Sequence, residues 1–280
     1  MSNAMEWLQF VLAPQMINGL SIGVAVVLMA LGLTIIFGLL DVINMAHGEF
    51  YAIGAYLAVA LLATGMSFWW ALVLTPLLMA VLGFVTERGL IQRVFHSKDR
   101  HTLTLLLTFG VAVVLEDALK IAFGANPLRL EAPISGATEM VGLFFPNYRL
   151  FVMLFGGALI AAVWLLVFRT SLGVPVQLVY AGTFAFGVAL AGIAGVLPAP
   201  IYSVFPTMGK DFVLIAFSVV IIGGMGSIKG ALLAGLLLTQ VQSISSLYIS
   251  PVWSDPLLFG IMVLVLMWRP QGLFGKLGSA

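Results

Sequence analysis

The sequence predicts an all-α protein, a polytopic transmembrane bundle of about eight to nine membrane segments, some of them short or broken. Of the 280 residues, 62% are hydrophobic and only 8% are charged, against about 25% charged residues in soluble domains. The mean hydropathy is +1.16, and apolar runs long enough to cross a bilayer recur along the chain. Their continuity favours helices over the alternating strands of an outer-membrane barrel.

Apolar runs between polar or Gly/Pro punctuation predict the individual segments. Those near 44–63 and 211–224 are the weakest, because a helix needs about 20 residues to span the membrane core. We expect one transmembrane domain over residues 5–280, since residues 1–4 ahead of the start-like Met5 resemble a cloning scar. The predicted segments are 16–40, 44–63, 68–86, 103–123, 149–168, 174–197, 211–224, 230–249 and 256–268.

Basic residues predict the orientation of the bundle. The loop 87–101 contains four Lys and Arg residues, which marks it as cytoplasmic by the positive-inside rule. Counting crossings onward predicts a cytoplasmic C-terminus and, with less support, an external N-terminus. On this count the cytoplasmic side receives Arg169, Lys229, Arg269 and Lys276, and the external side receives only Arg129, Arg149 and Lys210.

The stretch 41–49 is the main candidate for function, because it is a polar cluster between two charge-free runs, 7–40 and 50–86. Ionisable groups at membrane depth usually face a bundle interior or a pathway. We predict a break between two helices near the cytoplasmic side, with Asn44 and His47 facing the bundle and Asp41 and Glu49 facing water. The cluster comprises Asp41, Asn44, His47 and Glu49.

A helix beginning near Asn44 would place Asn44, His47 and Tyr51 on one face. Such a stripe, together with Glu49, is a candidate lining for a translocation pathway. The alternative is that Asn44 and His47 cap or bridge neighbouring helices.

Two further charged groups are expected near the external side. Glu116 and Lys120 are four residues apart in the order that favours an ion pair, with Asp117 beside them. Lys210 and Asp211 open a later segment. They are candidates for facing an external partner, and the alternative is interfacial snorkelling with an acid at a helix N-terminus.

Glycine patterns predict close packing and one special turn. Gly187, Ala191 and Gly195 are spaced to let helix backbones approach closely. Consecutive glycines beside Lys229 instead favour a tight turn or a partner-facing loop. That turn comprises Gly223, Gly224, Gly226 and Ser227.

Several chemistries are absent from the sequence. There is no cysteine, and the three His residues share no metal-ligand spacing. No P-loop, H-E-x-x-H or G-x-S-x-G motif occurs. We therefore expect no enzyme activity, no cofactor and no metal, and the net charge of +1 gives no indication of nucleic-acid binding.

Several motifs in order resemble the LivH-type permeases of bacterial branched-chain amino acid ABC importers. The resemblance covers nearly the whole chain and rests on INMAHGE at 43–49, LTFG at 107–110, LED at 115–117, RTSLG at 169–173, GGMGS at 223–227 and RPQGLFG at 269–275.

The resemblance implies a permease subunit in the bacterial inner membrane that moves hydrophobic amino acids by alternating access. It implies four kinds of partner, namely the lipid bilayer, a second, LivM-like permease, two cytoplasmic ATPases and a periplasmic substrate-binding protein. ATP would be hydrolysed by the separate subunits. Arg169 and the turn 223–227 become candidates for facing the ATPase, and Lys210 and Asp211 for facing the external partner.

One departure from the family pattern follows the RTSLG motif. The family carries a cytoplasmic coupling segment there, whereas Gly173 runs directly into Val174. Most of this segment is missing from the sequence, either because it is physically deleted or because the sequence omits part of the natural chain. A physical deletion is expected to impair ATPase coupling. Two alternative functions remain: a related ABC permease for an amide, urea or a sugar, and a stand-alone channel or secondary transporter, which the sparse intramembrane charge disfavours.

Overall fold

Nine α-helices of 15 residues or more follow one another in the part of the chain that this computed structural model describes, residues 6–95, 97–140, 142–169 and 176–275. Each predicted apolar run corresponds to one of them. The helices are α1 (Ala13–Leu40), α2 (His47–Ala63), α3 (Phe68–Thr86), α4 (Arg100–Phe123), α5 (Asn147–Arg169), α6 (Val176–Val196), α7 (Met208–Gly223), α8 (Ile228–Ser245) and α9 (Ser254–Trp268).

Within the described ranges, six helical stretches are long and apolar enough to cross a membrane: Phe10–Leu40, Phe68–Phe95, Arg100–Phe123, Asn147–Val167, Val179–Val196 and Ile228–Ser245. The second of these extends α3 through a π-helical turn at Glu87–Ile91 and a short helical turn at Gln92–Phe95. The helices α2, α7 and α9 have only 17, 16 and 15 residues. The two segments that the sequence identified as short, 44–63 and 211–224, are therefore short helices.

Helix α1 forms the centre of the bundle. Its most apolar window is 78% buried, and it packs against α5, α6, α7 and α8. The segment carries no charged side chain, so it can be surrounded by protein without a desolvation cost. The other helices are arranged around it.

Small residues allow the helices beside α1 to approach closely, as the glycine spacing predicted. A Cβ on Gly187 of α6 would overlap the side chain of Ile36 in α1. A Cβ on Gly195 would overlap the backbone of Tyr51 in α2. In a membrane there is no hydrophobic drive for helices to associate, so they are held together by close packing at positions with small residues.

Two long loops meet at the end of the bundle where α4 ends and α5 begins. The loop after α4 contains an antiparallel hairpin of β1 (Ala137–Met140) and β2 (Leu143–Pro146), with Thr138 opposite Phe145. An isolated bridge pairs Leu128 of this loop with Val204, in the loop between α6 and α7. The bridge fixes the loop that leads into α7.

Candidate functional site

The chain leaves the helical conformation between α1 and α2, at residues 41–46, here called the unwound segment. Asp41 ends α1 in the left-handed conformation, with φ 55° and ψ 41°, and its N–H donates to the carbonyl oxygen of Phe37 at 2.8 Å. The Asp41 carboxylate lies 3.0 Å from the Arg100 guanidinium and 3.4 Å from the His101 ring. The half-exposed position of this carboxylate agrees with the prediction that Asp41 faces water.

Side chains in the unwound segment alternate between the bundle interior and a more open side. Val42, Asn44 and Ala46 are buried, whereas Ile43 and Met45 are half-buried. This stretch is non-helical and ends in a turn at Met45 and Ala46, after which α2 begins at His47. The prediction that a helix begins near Asn44 is therefore wrong by three residues.

The side chain of Asn44 explains why the helix starts late. Its Oδ1 accepts a hydrogen bond from the Ala46 N–H at 3.1 Å, a local bond that competes with helical pairing. Asn44 is 0% exposed, as predicted, and its Nδ2 has no hydrogen-bond partner among the described residues. A buried donor without a partner is costly.

His47 shows how far the unwound segment reaches into the bundle. The side chain is 0% exposed, as predicted, and its Nε2 lies 3.0 Å from the carbonyl oxygen of Met29. Because a carbonyl only accepts, Nε2 carries the proton. Met29 lies 11 residues before the end of α1, about 16 Å along the helix axis at 1.5 Å per residue. The break that the sequence predicted between the two helices therefore starts at Asp41 and leads back into the bundle, where α2 begins.

A second short helix begins at the same place. Gly209, in the first turn of α7, is packed against the backbone of Gly48 in α2. One turn further, the rings of Tyr51 and Phe212 stack with their centroids 4.4 Å apart. The N-termini of α2 and α7 thus meet inside the bundle, each preceded by non-helical chain.

The expectation that Glu49 faces water is wrong. Glu49 is only 2% exposed, and its Oε1 lies so close to Gly209 that a Cβ there would be 2.8 Å away. Its Oε2 has no hydrogen-bond partner among the described residues. Helix N-termini carry partial positive charge, so a carboxylate between two of them is electrostatically favourable.

An ion-pair cluster surrounds the outer side of this junction. The Glu116 carboxylate of α4 is 2.7 Å from the Lys120 ammonium and is also paired with Lys210 of α7. Asp117 lies 3.3 Å from Lys120. The predicted Glu116–Lys120 pair is confirmed. Lys210 pairs with the same carboxylate, which goes beyond the alternative that its side chain only extends towards the membrane interface. Asp211, the next residue of α7, is exposed.

The turn between α7 and α8 is a packed junction with the C-terminal motif. Gly224 and Gly226 have φ of 99° and 78°, which favours glycine, and Ser227 caps α8 by accepting the Gly230 N–H at 3.1 Å. The N–H groups of Leu273 and Phe274 donate to the carbonyl oxygens of Ile222 and Gly223 at 2.8 and 3.1 Å. The side chain of Arg169 and the predicted missing segment after Gly173 lie outside the described residues.

An apolar cavity of about 270 Å³ opens beside the unwound segment. It lies between α1, the unwound segment and α7, and all of its nine lining residues are apolar, among them Phe37, Ile43, Phe217 and Val220. No group of three or more His, Asp or Glu residues that could hold a metal ion occurs in the described ranges. The cavity therefore offers an apolar surface to a solute, and the buried polar side chains of Asn44, His47 and Glu49 lie outside its lining.

Three residues of this arrangement had no signal of their own in the sequence. Met29 contributes only a carbonyl oxygen, and Gly209 contributes only the absence of a side chain. Thr108 of α4 bonds to the unwound segment through its hydroxyl. Its position in the LTFG motif marked it only as part of a resemblance.

The model of the family described as branched-chain amino acid transport system / permease component matches residues 15–180 and 171–266. The chain is 30% identical over 294 residues to the high-affinity branched-chain amino acid transport system permease protein LivH of Salmonella typhimurium, covering 94% of this chain and 95% of the relative. It is 28% identical over 296 residues to BraD of Pseudomonas aeruginosa, with 94% and 95% covered.

The high-affinity branched-chain amino acid transport system permease protein LivM of Escherichia coli is 26% identical over 291 residues, covering 88% of this chain and 67% of the relative. No solved structure matches the chain. The 294-position alignment is longer than the chain of 280 residues, so the LivH relative contains residues that this chain lacks. The family model matches the chain in two ranges, which overlap at residues 171–180.

Proposed function

The chain belongs to the family of permease components of branched-chain amino acid transport systems, and from that membership we propose that it forms half of the import pathway for a branched-chain amino acid. The match over 94% of the chain to a LivH permease carries this proposal. The relatives are transport proteins, so a transport role is supported over a catalytic one. The protein is a multi-pass membrane protein.

The solute path runs past the junction of α2 and α7. Short helices whose N-termini meet near the midplane of a bundle are typical of transporter binding sites. The cavity of about 270 Å³ is free of charged lining residues, which suits an aliphatic side chain. Asn44, His47, Tyr51 and Glu49 are not part of the cavity lining; they supply buried polar atoms just before and in the first turns of α2, and we assign them to the pathway.

The complete importer contains this chain, a LivM-like permease, two cytoplasmic ATPases and a periplasmic binding protein in the inner membrane. Relatives named LivH and LivM both match the chain, which supports a permease pair. The turn 223–227 and Arg169 face the ATPases from the cytoplasmic side, together with the C-terminus. Lys210 and Asp211 face the binding protein.

The residues that the LivH relative has in addition belong to the coupling segment after Gly173. The meeting of the two matched pieces at 171–180 supports this location. Without that segment, ATP hydrolysis and solute movement are coupled less tightly. Inserting the relative's segment between Gly173 and Val174 is expected to raise leucine uptake per ATP hydrolysed.

Uptake of labelled leucine tests the proposed function. The chain is co-purified with its partner permease, ATPases and binding protein and placed in proteoliposomes. ATP-dependent uptake that unlabelled isoleucine and valine suppress, and urea and ribose do not, is the expected result. A non-hydrolysable ATP analogue is the control, and ATP-independent flux through this chain alone would contradict the importer assignment.

A further inference from the structure

Helix α4 presents a polar face to the bundle. Its buried residues among those described are Thr104, Thr108, Glu116 and Leu119, three of the four being polar. Large apolar side chains such as Leu106, Phe109 and Val114 are exposed on its outer side. Polar side chains that face inward in a membrane protein need partners there. The hydrogen-bond partners of this face therefore show which part of the protein α4 keeps in place.

The unwound segment has backbone groups that no helix satisfies. In a membrane interior, each such N–H or C=O requires a partner inside the protein. Asn44 serves two of the donors at the end of the segment, since its Oδ1 accepts from the Ala46 N–H at 3.1 Å and its backbone oxygen from the His47 N–H at 3.2 Å. The Met45 N–H and the Ile43 carbonyl point towards α4.

Thr108 meets both of these groups. Its Oγ1 accepts a hydrogen bond from the Met45 N–H at 3.1 Å. The same oxygen lies 3.2 Å from the Ile43 carbonyl oxygen and 3.2 Å from that of Leu105, and its single proton can be donated to either one. One hydroxyl therefore ties the middle of the unwound segment to α4.

Thr104 is a natural comparison one helical turn away. Both threonines are 1% exposed. The Thr104 hydroxyl lies 2.7 Å from the Arg100 carbonyl oxygen and 3.1 Å from that of His101, both in its own helix. Thr104 and Thr108 are thus the same residue type and equally buried, and of the two Thr108 is the one whose hydroxyl hydrogen-bonds to the unwound segment.

We propose that Thr108 is the positioning residue that fixes the unwound segment, and through it the first turn of α2, relative to α4 during transport. His47 follows the unwound segment directly and begins α2, and the next residue, Gly48, packs against Gly209 of α7. No residues therefore lie between the segment held by Thr108 and the first turn of α2. Displacement of α4 then moves the start of α2 with it. The role in transport rests on the proposed function, whereas the positioning itself does not.

Hydrogen exchange of the assembled complex tests the positioning. In Thr108→Val the Met45 amide loses its acceptor, and it is expected to exchange about tenfold faster, the factor for one hydrogen bond. Thr108→Ser keeps the hydroxyl and Thr104→Val keeps the contact, so both are expected to exchange as the wild type does. Unchanged exchange in Thr108→Val, or equal acceleration in Thr104→Val, overturns the proposal.

The ratio of leucine transported to ATP hydrolysed tests the role in transport. Thr108→Val is expected to lower this ratio at least about threefold, and Thr108→Ser to restore it. A loss of folded complex alone would lower both activities and leave the ratio unchanged, which would overturn the role. If Thr108→Val does not assemble, Thr108→Cys with its weaker hydrogen bonds is compared with Thr104→Cys. If the wild type moves no leucine, the proposed function fails, and the exchange experiment still decides the positioning.

Discussion

Gly48 of α2 and Gly209 of α7 lie with their backbones in direct contact, each in the first turn of its helix. A Cβ on Gly48 would overlap the carbonyl oxygen of Gly209, and one on Gly209 would lie 2.7 Å from that of Gly48. The positive ends of two helix dipoles therefore meet inside the bundle. The buried carboxylate of Glu49 lies beside both and offsets their repulsion.

Replacing Gly48 by Ala should disturb this junction. The new methyl group has no room, and overpacking of this kind costs about 1–3 kcal/mol. We expect a lower thermal unfolding midpoint of the purified chain and less assembled complex.

The matched control for that substitution is Gly182→Ala in α6. A Cβ at Gly182 meets nothing within 4 Å, and alanine is favoured over glycine in a helix by about 1 kcal/mol. Its midpoint should equal or exceed that of the wild type. If both variants unfold at the same temperature, the close contact of Gly48 and Gly209 does not exist in the membrane.

Two substitutions at Asn44 separate its local role from its role in the pathway. Asn44→Ala removes the acceptor of the Ala46 N–H, a loss of about 1 kcal/mol for one hydrogen bond, and should lower both assembly and uptake. Asn44→Asp keeps an acceptor for the Ala46 N–H and replaces the Nδ2 donor with a second oxygen, whose negative charge is favoured by the N-terminus of α2. It should preserve the amount of assembled complex and lower leucine uptake. Wild-type uptake by Asn44→Asp would leave Asn44 with the local hydrogen bond to Ala46 as its only role.

The positions of the helices could be predicted from the sequence because lipid imposes a simple rule. A spanning helix needs a continuous apolar run, and each predicted run corresponds to a helix. The beginning of α2 was missed because it depends on a side-chain bond, from Asn44 to the Ala46 N–H. The spacing of apolar residues in the sequence does not indicate such a hydrogen bond.

The site was only partly predictable for a related reason. Burial of Asn44 and His47 followed from their position between apolar runs. The burial of Glu49 did not, because it depends on α7, which arrives 160 residues later in the chain at Gly209. Contacts made by glycines and carbonyl oxygens, as at Met29, carry no side-chain signature at all.

The ion pairs around Glu116 should contribute unequally to stability. Glu116 has a 4% exposed side chain and serves both Lys120 and Lys210, so Glu116→Gln removes two pairs at once. Lys210→Gln leaves the pair with Lys120 intact, and its effect should stay below about 1 kcal/mol because the lysine is largely solvent-exposed. Thermal unfolding of the purified variants measures the difference. Asp117→Asn is the control, since that side chain is 62% exposed, and a midpoint as low as that of Glu116→Gln would contradict this ranking.

Ser227 begins α8 and lies in the turn assigned to the ATPase side. Ser227→Ala removes the acceptor of the Gly230 N–H and should destabilise the chain by about 1 kcal/mol. Ser227→Asp keeps an acceptor and adds a charge that the helix dipole favours, so its unfolding midpoint should stay at or above that of the wild type.

The same pair of variants tests whether the turn contacts an ATPase. The added charge of Ser227→Asp changes the surface of the turn without weakening the fold, so co-purification with the ATPases should fall while stability does not. Ser245→Ala at the other end of α8 is the control, because the Ser245 hydroxyl donates to the carbonyl oxygen of Gln242 within the same helix. If Ser227→Asp retains the ATPases as fully as Ser245→Ala does, the turn is a structural cap for α8, and the contact with the ATPases lies elsewhere on the cytoplasmic side.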